Sequence, residues 1–188
     1  MIETTKQPVK QPTLNVKQTA KRRSKAKDST VEMRSMLWPD LDESKLWLRQ
    51  TNDGYTTLPR TMPLIMNLIN DLSKSVNSGK SAPAGKAYLV LWCRVFDEAM
   101  VKIDNEAAAA VEAGYIGERN TTTWREHLRV LKDLGFIDYK PGTSGPCHYI
   151  LIYNPYHVIK AHRKDIQEAT YITLYQRALE IGATKDIR

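Results

Sequence analysis

The stretch "GERNTTTWREHLRVLKDLGFIDYKPGTSG", residues 117–145, decides the fold expected for this chain. At about 100° per residue, Trp124 and Leu128 share one face of a helix with the later leucines, and the opposite face carries Thr, Arg, Lys and acidic side chains. Gly135 follows the last residue of the apolar face and is typical of a helix end. The pattern predicts a helix over 122–134, then an apolar strand and a hairpin that turns within "PGTSGP".

The segments before this helix give further helix signals. Thr123 and Glu126 have the spacing of a capping box, so we expect the helix to begin near Thr122–Thr123, to within a residue or two. Apolar residues at helical spacing predict an earlier helix over about 84–100. Asp104 is expected to cap a short helix that ends at Gly114. The expected order is therefore helix, short helix, turn, longer helix and hairpin.

Elements are also expected on both sides of this core. Asn52-Asp53-Gly54 is typical of a hairpin turn, and Thr61 has the position of a helix cap, with Pro63 in the first turn of that helix. A final helix is predicted over 163–181. Its broad apolar surface is compatible with packing on its own domain or with pairing two copies of the chain, and both possibilities stay open.

The segment Ser78-Gly79-Lys80-Ser81 ends like a phosphate-binding P-loop. The full motif needs a glycine five residues before Gly79, where Lys74 stands. It also needs a strand before the loop, and the apolar pattern here predicts a helix instead. The sequence therefore argues against a mononucleotide site at this loop, and no cofactor is expected.

Positive charge is concentrated at the N-terminus. Residues 1–35 contain nine Lys or Arg against three acids, so they hold +6 of the formal net charge of +7. They contain few large apolar side chains and are predicted to be disordered, because too little surface can be buried to offset chain entropy. A run of cations in this tail is expected to contact nucleic acid without sequence preference: Lys17, Lys21, Arg22, Arg23, Lys25 and Lys27.

Other classes of protein are disfavoured by the sequence. Cys93 and Cys147 do not form a disulfide framework, and the histidines lack metal-ligand spacing, so no metal site is expected. No carboxylate pair or nucleophile stands out, so no catalytic residues and no enzyme activity are predicted. The N-terminus is polar, and the longest strongly apolar run, "YLVLWC", is too short to span a membrane. A soluble intracellular protein with no membrane partner is expected.

Residues 84–154 resemble the winged helix-turn-helix domains of bacterial transcription regulators and of plasmid or phage replication initiators. The resemblance rests on the small-residue spacing Ala110-x-x-x-Gly114 and on "TTTWREHLRVLKDLGFI", a polar helix that ends in Leu-Gly-Phe-Ile before a hairpin. It implies an α+β fold that binds double-stranded DNA, with the helix in the major groove. The residues placed to contact DNA by this resemblance are Arg119, Asn120, Thr121, Thr122, Arg125, Arg129, Lys132, Lys140 and Ser144.

The expected organisation has four parts. A disordered basic tail covers 1–35, and an N-terminal hairpin and helix of the folded domain cover 36–83. The winged helix-turn-helix covers 84–160 and a C-terminal helix covers 161–188. The resemblance implies a protein of the bacterial cytoplasm or nucleoid that regulates transcription, or acts in replication or partition of a plasmid or phage. A homodimer through its last helix stays open.

Three other interpretations remain open. The domain could be a winged-helix module for protein contacts, with the tail touching nucleic acid nonspecifically. RNA binding would use exposed aromatic side chains, for which Tyr139, Tyr149 and Tyr153 are available. The polar face of the longer helix could also be a solvated surface with internal ion pairs, because Arg129 and Asp133 are four residues apart.

Overall fold

The computed structural model describes residues 28–46, 48, 54–95 and 98–187 of the chain. The chain divides into two compact units, Met1–Asn52 and Asp53–Arg188. In the first unit, helix α1 spans residues 28–37, which differs from the disorder predicted through residue 35. The six tail cations between residues 17 and 27 lie outside the described residues.

The rest of the first unit is short. A 3-10 turn spans Glu43–Lys45, and the side chain of Asp42 accepts a hydrogen bond from the backbone N–H of Ser44 at its start. Arg34 of α1 pairs with Glu43. Most of the predicted N-terminal hairpin, including Asn52 and Asp53, lies outside the described residues. Its second strand is wrong, since residues 54–59 form no strand.

Two packed helices begin the second unit. Helix α2 spans Met62–Val76 and buries Ile65, Leu68, Ile69 and Leu72, and α3 spans Gly85–Arg94. A Cβ on Gly85 would lie 2.8 Å from the carbonyl oxygen of Met66, so only glycine lets α3 start this close to α2. The helix predicted over 84–100 is shorter because Val95 is already extended.

A three-stranded antiparallel sheet and two helices complete the centre of this unit. Strand β1 spans Met100–Lys102, and the hairpin strands β2 and β3 span Ile137–Gly142 and Gly145–Ile152. The strand order is β1-β3-β2. Helices α4 (Glu106–Glu112) and α5 (Asn120–Asp133) lie between β1 and β2 in the chain. The fold is therefore α+β, and the predicted hairpin is confirmed.

The amphipathic pattern of α5 explains its packing. Its apolar face is buried as predicted, with Trp124, Leu128 and Leu131 fully inaccessible. From α3, Tyr88 meets Phe136 edge to face, with ring centroids 5.4 Å apart. Such a core fixes α5 against the sheet and leaves its polar face outward.

Three predicted helix starts are wrong in detail. The cap of α4 is Asn105 and not Asp104, because Asn105 Oδ1 accepts a hydrogen bond from the N–H of Ala108 at 3.0 Å. Helix α5 begins at Asn120, within two residues of the predicted start at Thr122–Thr123, but Thr123 lies within the helix and forms no capping box. Thr61 occupies the cap position of α2, but its hydroxyl bonds to Tyr156 Oη at 2.7 Å instead of capping. The glycine helix ends predicted at positions 114 and 135 are confirmed.

The C-terminal region contains more helices than the sequence predicted. Helix α6 spans Pro155–Ala161, α7 spans Glu168–Glu180 and α8 spans Thr184–Ile187. Helix α7 corresponds to the helix predicted over 163–181, but it begins five residues later than predicted, after a 3-10 turn at Arg163–Asp165. Within the described part of the chain, no helix has the length and hydropathy needed to cross a lipid bilayer.

Candidate nucleic-acid interface

The polar face of α5 is an exposed charged surface in the central sheet-and-helix region. Thr122, Arg125, Arg129 and Lys132 are exposed along it, as the helical pattern predicted. Their side chains differ in what they already contact. That difference decides which of them are free to meet a partner.

The N-terminal end of α5 holds side chains without charged partners. Arg119 precedes the helix, is exposed, and forms no ion pair with any described residue. Asn120 Oδ1 accepts a hydrogen bond from the backbone N–H of Thr121 at 2.6 Å, which leaves the amide NH₂ of Asn120 as a donor. Thr122 is exposed on the next residue of the helix. This end therefore presents a free guanidinium, an amide and a hydroxyl.

The turn before α5 adds two residues that the sequence did not single out. A Cβ on Gly114 would lie 3.9 Å from Lys86 Nζ, so this lysine of α3 lies beside the turn. Lys86 makes no ion pair within the described ranges. Ile116, in the same turn, is 86% exposed. No local pattern links Lys86 to the turn, because the contact depends on how α3 packs.

Arg125 is held by a buried carboxylate. Its Nε and Nη2 atoms lie 2.7 and 2.5 Å from Glu106 Oε2. The Glu106 side chain is 5% exposed, whereas that of Arg125 is 47% exposed. Because the pair joins the first turn of α4 to α5, Arg125 is bound to its own domain before any partner arrives.

Glu106 also faces the hairpin. Its second oxygen, Oε1, has no hydrogen-bond partner among the described residues. A Cβ on Gly145, at the start of β3, would lie 3.2 Å from that oxygen. Cys147 lies behind it, and burial, reinforced by the charge of Glu106, raises the pKa of the Cys147 thiol to about 11. Sequence analysis missed Glu106, although it shares the buried face of α4 with Ala109 and Ala110 at helical spacing.

The remaining cations of α5 are engaged too. Arg129 lies 2.7 Å from Asp133, which confirms the ion pair that their spacing predicts, and also donates to Asn77 Oδ1 at 3.3 Å. Lys132 Nζ lies 2.7 Å from Asp138 of β2. The hydrogen bond from Lys132 lowers the pKa of the Asp138 carboxyl, so this pair stays charged at neutral pH.

The hairpin tip is fixed by a buried histidine. His148 Nε2 lies 3.2 Å from Asp104 Oδ1, and the N–H of Ser144 is 3.5 Å from His148 Nδ1. Its ring stacks on Tyr149 with centroids 4.2 Å apart. Of the two predicted hairpin contacts, Lys140 is exposed with no ion pair in the described residues, and Ser144 is half-buried.

The three tyrosines considered for RNA do not share a surface. Tyr139 pairs in register with Ile150, which is buried, and its ring lies under Lys132 Nζ at 4.5 Å. Tyr149, by contrast, is exposed on the opposite face of the sheet, and Tyr153 is exposed after β3. The grouping of all three is therefore wrong.

The predicted DNA-contact residues fall into two groups. Arg119, Thr122 and Lys140 are exposed and free of ion pairs in the described ranges, whereas the other three cations of α5 are paired. Within the part of the chain that the structure describes, no cluster of three His, Cys, Asp or Glu side chains is arranged to hold a metal. In comparisons with protein-family models, curated proteins and solved structures, nothing matches this chain.

Proposed function

We propose that this chain binds double-stranded DNA through a winged helix-turn-helix domain, and acts in transcription regulation or in replication or partition of a plasmid or phage. The supporting observation is the element order α3, β1, α4, α5, β2, β3 with the strand order β1-β3-β2. This order agrees with the helix, short helix, turn, recognition helix and wing that the sequence resemblance implies. In this arrangement Arg119 and Thr122, at the N-terminal end of α5, are exposed.

In the proposed complex, the N-terminal end of α5 enters the major groove. Arg119 donates to a guanine or a phosphate, and Thr122 contacts a thymine methyl or a phosphate. Asn120, whose Oδ1 is engaged, contributes its NH₂ group. Lys140 in the hairpin and Lys86 beside the turn contact the phosphate backbone.

The paired cations have a different role. Arg125, Arg129 and Lys132 would have to leave or share a carboxylate before they bound a base, which offsets the energy of the new contact. Their net field is small because each has a nearby negative charge. We therefore assign sequence selection to the N-terminal end of α5 and not to Arg125 and Arg129.

The N-terminal tail is proposed to supply affinity without sequence preference. Its six cations between residues 17 and 27 can neutralise phosphates and release counterions. Deletion of residues 1–27 is then expected to weaken binding to every duplex and to flatten the salt dependence.

The decisive experiment selects a preferred duplex from a random library with the full chain and measures binding by fluorescence anisotropy. Arg119→Ala is expected to weaken binding to the selected site by about 5- to 150-fold, which corresponds to roughly 1–3 kcal/mol. Arg129→Ala is expected to change it less than about threefold, because its guanidinium is already engaged. Arg60→Ala is the matched control, since Arg60 is exposed and unpaired in the described residues but precedes α2.

Failure to select any duplex, or equal binding by wild type and Arg119→Ala, would contradict the proposal.

The second candidate function is a protein-contact module. It is favoured by the ion pairs along α5 and by the exposure of Ile116. Ile116→Ser would then abolish capture of the protein partner, while the DNA proposal expects no loss of phosphate contacts from this change.

A further inference from the structure

The loop between α2 and α3 contains the P-loop-like residues that the proposed recognition surface does not use. Lys74 in the last turn of α2 and Lys80 in the loop are both exposed and form no ion pair with a described residue. Ser78 and Ser81 are exposed beside them. Lysine ammonium groups and serine hydroxyls are common phosphate contacts in protein–DNA complexes.

This loop has a fixed shape. The N–H of Gly79 donates to the carbonyl of Lys74 at 2.9 Å, and that of Lys80 donates to the carbonyl of Asn77 at 2.9 Å. The amide of Asn77 returns a bond to the carbonyl of Lys80 at 3.2 Å. Ser78 and Gly79 both adopt positive φ, at 52° and 80°. The loop therefore presents Lys80 without a large ordering cost on binding.

Buried side chains of α2 anchor the far end of the loop. Ser73 Oγ, fully buried, accepts a hydrogen bond from the N–H of Ala82 at 2.9 Å. Asn70 Oδ1 accepts one from the N–H of Gly85 at 3.0 Å. The loop is thus held to α2 before it enters α3.

The same loop borders the polar face of α5. Asn77 Oδ1 accepts the hydrogen bond from Arg129 Nη2, whereas Lys132 of the same helix reaches Asp138 in β2. The exposed face of α5 is therefore bordered by the loop through one contact and by the sheet through the other.

The charge balance at this border is positive. Arg129 and Asp133 compensate each other. Asp71, one turn before Lys74 on α2, is the only acid of that helix and is exposed. Lys74 and Lys80 therefore leave a local excess of one positive charge against it.

We propose that the α2–α3 loop is a further phosphate-contacting element, in which Lys74 and Lys80 bind the backbone of the duplex whose groove takes α5. This inference rests on the proposed DNA-binding function. A mononucleotide is the less suitable ligand because α2, a helix, precedes the loop, and a strand is needed there in a P-loop.

The test measures how the affinity of the full chain for the selected duplex depends on salt between about 50 and 200 mM. The affinity falls as salt rises, and each phosphate contact that is lost makes the negative slope of log K against log salt shallower by about 0.9. Lys80→Gln is therefore expected to reduce the magnitude of the slope by about 0.9, and the Lys74→Gln, Lys80→Gln double variant by about 1.8. Lys164→Gln is the matched control, since Lys164 is exposed and unpaired in the described residues but follows α6. Thermal unfolding of each variant checks that the fold is intact.

The outcomes separate this inference from the function on which it rests. Unchanged slopes in both loop variants, with Arg119→Ala still defective, would overturn the loop contact and leave the DNA-binding proposal standing. A wild-type chain that binds no duplex would overturn both. Saturable binding of a fluorescent ATP analogue with Mg²⁺, lost in Lys80→Gln, would replace the duplex backbone by a nucleotide as the ligand.

Discussion

The N-terminal end of α5 and the remainder of its polar face have similar exposure but differ in engagement. Arg119 and Thr122 have no ion pair within the described residues, whereas Arg125, Arg129 and Lys132 are each held by a carboxylate. A helical wheel shows both groups as equally available. The exposure of a cation therefore does not show that it is free to bind a partner when neighbouring elements supply carboxylates.

Replacement of Trp124 is expected to have the largest effect on stability, since its buried side chain holds both ends of α5 in the core. Trp124→Ala takes a fully buried indole out of the core and is expected to lower the free energy of unfolding by about 3–5 kcal/mol. Urea denaturation followed by far-UV circular dichroism measures the loss. Glu126→Ala, at an exposed position of the same helix, serves as control and is expected to change stability by less than about 0.5 kcal/mol. A loss below about 1 kcal/mol in Trp124→Ala would contradict the described packing.

The buried thiol behind Glu106 offers a pH test of the same region. Because burial raises the pKa of Cys147 from its ordinary value of 9.0 to about 11, the folded state keeps the thiol protonated where the unfolded state loses the proton. Stability is therefore highest below about pH 9 and decreases as the pH rises from 9 towards 11, by up to about 3 kcal/mol in total. Cys147→Ala should give a shallower decrease in urea denaturation over this range; parallel curves would contradict the burial of the thiol.

Double-mutant cycles sharpen the contrast between the ion pairs. The cycle Glu106→Gln with Arg125→Gln is expected to give a coupling of about 1 kcal/mol, because one partner is buried and the other is half-exposed. The cycle Arg129→Gln with Asp133→Asn should give about 0.3–0.5 kcal/mol, as for exposed pairs four residues apart. Measurement at low and high salt adds a second criterion, since only the exposed pair should lose most of its coupling. Equal couplings would remove the distinction between the two pairs.

The smallest expected effect on stability lies away from α5, at the surface of α7. Leu174 and Ala178 are buried against the domain, but Ile172 and Leu179 are 44% and 52% exposed. If two copies pair through α7, the double variant Ile172→Ser, Leu179→Ser should sediment as a monomer at tens of micromolar where the wild type is a dimer. Its free energy of unfolding per monomer should change by less than about 0.5 kcal/mol. Gln176→Ser is the control; a monomeric wild type, free and on DNA, would rule the dimer out.

Local sequence patterns predicted α2 to α5, most of α7, the hairpin and the buried face of α5, because those features depend on residues close in the chain. The partners of its cations were beyond such rules. Arg125 binds Glu106, 19 residues earlier, and Arg129 binds Asn77, 52 residues earlier. Only Arg129–Asp133 was within one turn and was predicted. Helix α6 was missed although Asn154-Pro155 is a strong start signal, since the apolar pattern around it is short.

The buried ring of His148 packs directly against Gly142 and limits which residues position 142 can accept. A Cβ on Gly142 would lie 2.1 Å from His148 Nδ1, so every other residue at position 142 displaces the imidazole. If all substitutions at Gly142 were scored by the proposed DNA binding, every variant is therefore expected to be inactive, although Gly142 lies next to the exposed residues of the hairpin tip. That inactivity would report a steric requirement inside the hairpin, and it would be mistaken for a DNA contact unless the abundance of folded protein were scored in parallel.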